Sequence, residues 1–297
     1  MQTIAVLITC FNRKEKTLEC LEHLHSQLPV EGYETDVYLT NDGCTDGTPE
    51  AVRERFPEVH IIDGNGNLYW NRGMYTAWTR AAETKDYDFF LWLNDDTDIY
   101  DTLFHVLLES SQSSHNKAII VGATENQSGI MTYGGIHKGT IQKKPNGKLI
   151  ECDFFNGNIV LVPSYVFKKT GNLDYFYRHD KGDIDYGIRA ALQGIKIFQA
   201  PQYLGHCENH GKLDDWCNPY VPFIKRWKSM FSITGINPKE MFHLSRKSNG
   251  YFKSCFCFCS IILRCIFPII WVKTGRAKVY KSLDSNDKTN QSLINKK

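Results

Sequence analysis

The first hundred residues alternate between short apolar runs of strand character and segments of helical spacing, and few architectures accept that order. Thr3 to Thr9 (TIAVLIT) reads as a strand closed by the loop Cys10-Phe11-Asn12-Arg13. Lys14 to Gln27 follows with Leu18, Leu21, Leu24 and Leu28 at helical spacing. Thr35 to Thr40 predicts a second strand; after the polar turn 41–48 come a helix to about Arg55, a strand at His60 to Asp63, a helix from Asn71 to Thr84 and a buried strand at Asp88 to Leu93 (DFFLWL). Such alternation predicts an α/β fold with a mostly parallel sheet covered by helices on both faces. Ligands of such sheets collect at the carboxyl ends of the strands. The loops to watch are therefore Thr9 to Asn12, Asn41 to Thr48 and Asn94 to Asp98.

Charge divides the chain. Of 35 basic and 33 acidic residues, 20 and 30 precede residue 223, whereas 15 and 3 follow it, an acidic body with a basic tail. This predicts a catalytic-type domain over 1–222, a basic, apolar helical region over 223–281 and a disordered tail over 282–297. Tyr251 to Val272 is the most apolar segment, but Lys253, Arg264 and Pro268 interrupt it and argue against a membrane span. It fits a helix lying in the membrane interface, with Trp227 and Trp271 at headgroup depth and cations facing anionic lipid; the alternative is a soluble helical subdomain packed on the body. No reader motif for nucleic acid accompanies the basic region, so no nucleic-acid partner is expected. The N-terminal Met-Gln-Thr-Ile enters a strand without the pattern of a secretory signal, which predicts a cytoplasmic catalytic side and reduced thiols. Cys255, Cys257, Cys259 and Cys265 read as small hydrophobes, and His206, Cys207, His210 and Cys217 match no usual zinc spacing.

No GxGxxG follows the first strand and no GxxxxGK[ST] occurs, which removes the dinucleotide and P-loop readings. Asp95, Asp96 and Asp98 stand together at the end of an apolar strand, where three carboxylates need a compensating cation or solvent. Hard oxygen ligands suit Mg²⁺ or Mn²⁺; a plain solvated turn capping the next helix is the alternative. Both hold if Asp96 is the metal ligand and Asp101 the cap. Asp42 lies in Asp-Gly-Cys-Thr-Asp-Gly-Thr, a turn by its Asp-Gly pairs. Its carboxylate can also accept the ring N–H of a pyrimidine base, with Phe11 or the Thr9 backbone packed against that base.

Taken together, a strand ending in T-x-x-N, a second ending in N-D-G-x-T-D-G-T, N-R-G at a helix start and L-N-D-D-T-D after a fourth strand resemble the family 2 glycosyltransferases of the GT-A fold. The resemblance covers roughly Thr3 to His210. It implies Thr9, Phe11 and Asn12 at the nucleotide, Asp42 on the base, Asn71 and Arg72 near the sugar or diphosphate, and Asn94-Asp95-Asp96 as the DXD metal motif. Asn94 replaces the first acidic residue of that motif; it can still hydrogen-bond a ribose, and Asp96 keeps the charge a metal needs. Asn156 and Gly157, ahead of the apolar run Ile159 to Val162, look like the start of the acceptor-side strand. His179 to Arg189 resembles the acidic E/D-D-x-D motif, with Asp183 at the catalytic base position, Asp185 beside it, Gly182 where an acid often stands, and a helix over Tyr186 to Gln193. His206, beyond the strand Ile195 to Phe198 and the loop Ala200-Pro201, stands where members often carry a histidine reaching the metal or diphosphate.

The resemblance implies an inverting, metal-dependent transfer of a sugar from a UDP- or dTDP-type donor to a glycan or lipid-linked acceptor at the cytoplasmic face of a membrane, as in surface polysaccharide assembly. Nucleotidyl transfer to a sugar phosphate is a second reading, which the absence of a Gly/Arg/Lys-rich loop at Thr9 to Arg13 disfavours. A non-catalytic membrane-bound scaffold of the same fold is a third.

Overall fold

A computed structural model describes residues 1–137, 141–208 and 214–273. The chain divides into two compact units, Met1–Asn209 and His210–Lys297, a break ahead of the position 222 expected from charge. The tail 282–297 lies outside the described residues.

In the first unit the chain runs β1 (Gln2–Cys10), α1 (Lys14–Ser26), β2 (Tyr33–Asn41), α2 (Thr48–Arg55), β3 (His60–Asp63), α3 (Tyr69–Thr84), β4 (Phe89–Leu93), β5 (Asp98–Ile99), α4 (Leu103–Ser113) and β6 (Ile119–Glu125). Short strands β7 (Met131–Tyr133), β8 (Gly135–His137), β9 (Ile141–Gln142), β10 (Ile150–Glu151) and β11 (Phe154–Phe155) follow, then β12 (Ile159–Pro163), α5 (Ser164–Thr170), α6 (Gly182–Leu192) and β13 (Ile197–His206). The main sheet has the order β10-β13-β6-β12-β4-β1-β2-β3. Strands β4, β1, β2 and β3 are parallel to their neighbours in that run, and β6 is parallel to β13.

β12 departs from this direction. It runs antiparallel to both β4 and β6, pairing Ile159 with Leu93 and Val160 with Val121. The inversion places the start of β12, and so residues 156–158, beside the carboxyl end of β4. The chain also reverses its direction of travel across the sheet at β1, adding β2 and β3 on one side and β4 on the other. Ligands of open α/β sheets bind outside the strand ends at such a switch point, here the region beyond Cys10, Asn41 and Leu93.

The burial of β1 on both sides follows from helices on both faces. Ile4, Val6 and Ile8 join one core with Leu18, Leu21 and Leu24 of α1 and Leu103 and Leu107 of α4. Ala5 and Leu7 point the other way, into a core with Met74 and Trp78 of α3 and Tyr186 and Ala190 of α6. α4 has Thr102 at its N-cap with no side-chain bond, so Asp101 is not the cap. β13 continues through Pro201 to His206, because its pairing with β6 shifts register between Gln199 and Tyr203 and the proline sits in that irregularity.

The second unit consists of a 3₁₀ turn (Asp215–Cys217) and helices α7 (Phe223–Met230), α8 (Pro238–Asn249), α9 (Tyr251–Ile266) and α10 (Pro268–Lys273). Trp216, Met230, Ile261 and Cys265 form its core. The Arg226 guanidinium, buried, donates to the carbonyls of Val221, Cys265 and Ile266, a cation on the orphan carbonyls that end α9. Pro268 opens a new helix and divides the apolar segment; no described helix is long and apolar enough to cross a membrane.

Candidate active site

Asp42 follows β2 and is only 2% exposed. Its Oδ1 accepts the backbone N–H of Gly66 at 2.9 Å, and its Oδ2 accepts those of Leu68 at 2.9 Å and Tyr69 at 2.8 Å. The carboxylate therefore folds the 64–69 loop onto the first turn of α3, where an anion also suits the helix dipole. A carboxylate has about four acceptor positions, so the three bonds leave one for the N–H of a base. Asn12, with φ 50°, braces the same region: its Oδ1 accepts the N–H of Thr45 at 2.7 Å. Phe11 next to it is 52% exposed, an open aromatic face at the lip of the crevice.

The acidic loop after β4 is held by a residue that the motif reading passed over. Arg13 Nη1 donates to Asp96 at 2.7 Å and to Asp95 at 3.2 Å, and Thr17 donates to Asp95 at 3.2 Å. Burial pushes the Asp95 carboxyl up to about 6, against the opposing pull of Arg13, whereas Asp96 keeps more of its side chain in solvent. Asp98 turns away and pairs with His23 at 2.7 Å. Among the described residues no group of three or more His, Cys, Asp or Glu side chains is arranged to hold an ion. A Mg²⁺ or Mn²⁺ would have Asp96, partly exposed and already paired with Arg13, as the hard oxygen donor of this loop.

Asn94 closes the gap between this loop and Asp183. Its backbone N–H donates to the Asn158 carbonyl at 3.0 Å, and its side-chain Oδ1 accepts the indole N–H of Trp70 at 2.7 Å. Indole N–H is a donor only, so this bond fixes the amide and turns Nδ2 outward as a donor. The Trp70 ring lies against Gly157, where an added Cβ would come within 2.5 Å of it. Gly157 N–H in turn donates to Asp183 Oδ2 at 3.0 Å, while Asp183 Oδ1 accepts the Ile184 N–H at 2.8 Å. Asp183 sits in the first turn of α6, which begins at Gly182, four residues ahead of the expected start. Burial raises its carboxyl to about 6, although both backbone N–H groups favour the ion.

Of the other candidates, Asn71, Thr9 and Asp185 are buried, whereas Arg72 and Asn156 are partly exposed. Asn71 is 0% exposed; its Nδ2 donates to the carbonyls of Asp174 at 2.9 Å and Tyr177 at 2.8 Å, fastening the segment that leads into α6. Gly182 packs so close that a Cβ there would overlap Asn71 Oδ1. Thr9 is also buried, its Oγ1 against Gly73. Arg72 Nε donates to the Tyr175 carbonyl at 3.0 Å and stacks 4.7 Å from that ring. Asp185, 0% exposed, accepts from Tyr177 at 3.1 Å and from Arg189 at 2.7 Å, a buried ion pair. Asn156 Oδ1 accepts from Gln142 at 3.5 Å.

The His206 ring lies within 3.0 Å of the Tyr100 hydroxyl, which itself donates to Glu125 at 3.0 Å. The neighbouring Cys207, on the opposite side by strand alternation, meets Asn158 at 3.6 Å, and burial followed by the charge of Asp96 raises its thiol to about 11. The end of β13 thus offers Cys207 to the acidic loop where chain order suggested His206. His210, the remaining histidine of the zinc-like group, lies outside the described residues.

The sheet with its switch-point crevice and the side chains gathered there define a GT-A-type α/β fold. The sequence model for glycosyl transferase family 2 matches residues 5–169, more than half of the chain, and the chain belongs to that family. A curated relative is the poly-β-1,6-N-acetyl-D-glucosamine synthase of Staphylococcus epidermidis, 26% identical over 157 residues, which are 51% of this chain and 34% of that protein. The chain thus spans about a third of the length of the curated relatives it matches. Among solved structures, S. aureus TarS 1–349 in complex with UDP superposes with a TM-score of 0.57 at 11% identity, covering 93% of this chain and 92% of that one. The same protein with UDP-GlcNAc gives 0.54 at 11% identity, covering 89% and 72%. At that identity the likeness establishes the fold.

Proposed function

We propose that the chain is an inverting glycosyltransferase that moves a sugar from a uridine or thymidine diphosphate donor to a hydroxyl of a glycan or lipid-linked glycan, in the assembly of a surface polysaccharide. The observation that carries this is the unbroken series of contacts Asn94–Trp70–Gly157–Asp183, which joins a carboxylate of raised pKa to the acidic loop at the strand ends. Donor chemistry is supported by the UDP and UDP-GlcNAc in the TarS crystals, and acceptor chemistry by the polymer in the name of the S. epidermidis relative.

In this proposal Asp42 and Phe11 hold the base, and Asn94 donates to ribose or diphosphate through Nδ2. A Mg²⁺ or Mn²⁺ held by Asp96 would neutralise charge on the departing diphosphate. Asp183 Oδ accepts the proton of the acceptor hydroxyl as that oxygen bonds to the anomeric carbon and the bond to the diphosphate breaks on the opposite face. One displacement inverts the configuration. The two backbone N–H groups on Asp183 fix its orientation, so a positioned base rather than a mobile one meets the acceptor.

The second unit is proposed to rest on the cytoplasmic face of an anionic membrane, where its acceptor would be found. Phe252 is 88% exposed and Phe256 76% in α9, where Lys253 is exposed too, and Lys225 and Lys228 are exposed in α7. Aromatic and cationic side chains of this kind suit the headgroup layer.

Diphosphate release from a panel of nucleotide sugars with Mg²⁺ or Mn²⁺, in the presence of membrane extract, tests the reaction. Asp183→Asn is expected to fold normally and to lose about 10²- to 10⁴-fold in transfer rate. Transfer at the wild-type rate by that variant would remove Asp183 from the base role.

A further inference from the structure

Cys10 ends β1 and Cys44 stands in the turn after β2, and their sulfurs are 3.8 Å apart. The sequence does not suggest this pair, since 34 positions separate the two residues. Cys10 is 3% exposed and fixed in the central strand of the sheet. Cys44 is only partly buried and lies between Gly43 and Gly47, both in the left-handed region at φ 75° and 80°, in a turn outside the sheet. The Asn12 backbone N–H donates to Cys44 Sγ at 3.2 Å.

We propose that Cys44 and Cys10 form an oxidation site that takes a peroxide and closes to a disulfide across the carboxyl ends of β1 and β2. The chemistry is divided between the two sulfurs. The hydrogen bond from the Cys10 thiol, with those from Asn12 N–H and Thr48, pulls the Cys44 thiol down to about 7, against its partial burial and the charge of Asp46. Cys10, by contrast, is held protonated by that same hydrogen bond and by burial. Thiolate is the nucleophile in such oxidations. Cys44 thiolate attacks one peroxide oxygen, the O–O bond breaks, hydroxide leaves and a sulfenic acid forms on Cys44. The Cys10 sulfur then displaces the sulfenic hydroxyl, which leaves as water with the Cys10 proton. Sulfur loses two electrons in total and peroxide gains them.

Closure needs the sulfurs to approach by about 1.8 Å to reach the S–S bond length. The sheet holds Cys10, so the movement falls on the 42–48 turn. That turn carries Asp42 and is tied to Asn12 through Thr45. On the proposed function, its displacement weakens the donor site; the bond itself does not depend on that function.

Full-length reduced protein is treated with hydrogen peroxide, quenched with an alkylating reagent and mapped by peptide mass spectrometry. The expected product is a Cys10–Cys44 linkage with loss of two hydrogens, reversed by dithiothreitol and absent from Cys44→Ser and Cys10→Ser proteins. Retention of both thiols as alkylated peptides while other cysteines oxidise, or pairing of Cys44 with a different cysteine, would overturn the proposal. UDP affinity by calorimetry, compared before and after closure, is expected to fall in wild type and to be spared in Cys44→Ser. Equal affinity in the closed and reduced forms would refute the coupling to the donor site, whereas failure of reduced protein to bind UDP at all would count against the proposed function and not against the disulfide.

Discussion

Asp183 and Trp70 show how single side chains set the chemistry of this crevice. Burial lifts the Asp183 carboxyl to about 6, and a general base works only when ionised. The rate under kcat/KM conditions is therefore expected to be level above that value and to fall about tenfold per pH unit below it. Asp95 also titrates near 6, so the assignment is made with Asp95→Asn, in which the acid limb should persist. A profile flat to pH 5 in wild type would contradict Asp183 as base. Trp70→Phe keeps the ring over Gly157 but frees Asn94 Oδ1, so the amide loses its fixed orientation. Loss of one hydrogen bond worth about 0.5–1.5 kcal/mol should raise the donor KM about two- to twelve-fold with kcat little changed. A fall in kcat alone would place Trp70 on the acceptor side. Part of this is legible in the chain: Asp42 and Asp96 stand out as carboxylates just after strands, whereas Asp183, in the first turn of α6, is singled out only by its likeness to an acidic motif. Arg13 and Trp70 do not stand out, because a guanidinium reaching across 83 positions or an indole over one glycine leaves no local periodicity. Asn71 and Asp185 sit in polar motifs yet point inward, which only packing reveals.

Helix α3 illustrates what elements require beyond apolar spacing. Its Asn71-Arg72-Gly73 start brings Gly73 so near β1 that a Cβ would stand 2.1 Å from Thr9 Oγ1. Gly73→Ala must push α3 off the strand end, an overpacking cost of about 1–3 kcal/mol. It is expected to lower the midpoint of thermal unfolding and to weaken UDP binding together, since Tyr69, the first residue of α3, and its N-cap Leu68 donate to Asp42. An unchanged midpoint would mean that the helix shifts freely. The strands β1, β2, β3 and β4 are readable to within two residues: β1 and β4 are continuous apolar runs suited to a covered sheet, and β2 and β3 are short β-branched and aromatic segments bounded by polar turns. Direction is not: an apolar run such as Ile159–Pro163 has the same pattern whichever way it lies, and the antiparallel course of β12 appears only in its pairing. The early start of α6 escaped because Gly182 and Asp183 have poor intrinsic helix preference, and β13 was cut short at a proline that the register shift accommodates.

At the scale of the whole molecule, the acidic and basic parts of the sequence meet after residue 222, whereas the two compact units divide at Asn209 and His210. The acidic first unit carries Asp42, Asp96 and Asp183, and the basic second unit carries the strongly exposed Phe252 and Phe256. Binding to vesicles should therefore need anionic lipid and weaken as salt rises, because attraction of Lys and Arg to the surface is screened over about 10 Å at 0.1 M. Phe252→Ser with Phe256→Ser is expected to reduce sedimentation with phosphatidylglycerol vesicles without altering diphosphate release in solution. Equal binding to neutral vesicles would argue for a purely apolar contact. The central claim is that Asp42, Asp96 and Asp183 serve one bound donor. Its most direct measurement is a crystal structure with UDP and Mn²⁺, with the metal placed by anomalous scattering. Uracil N–H within hydrogen-bond reach of Asp42, Mn²⁺ on Asp96 and an open path from the β-phosphate to Asp183 are expected; a nucleotide seated away from Asp42 with no metal at Asp96 would contradict the account.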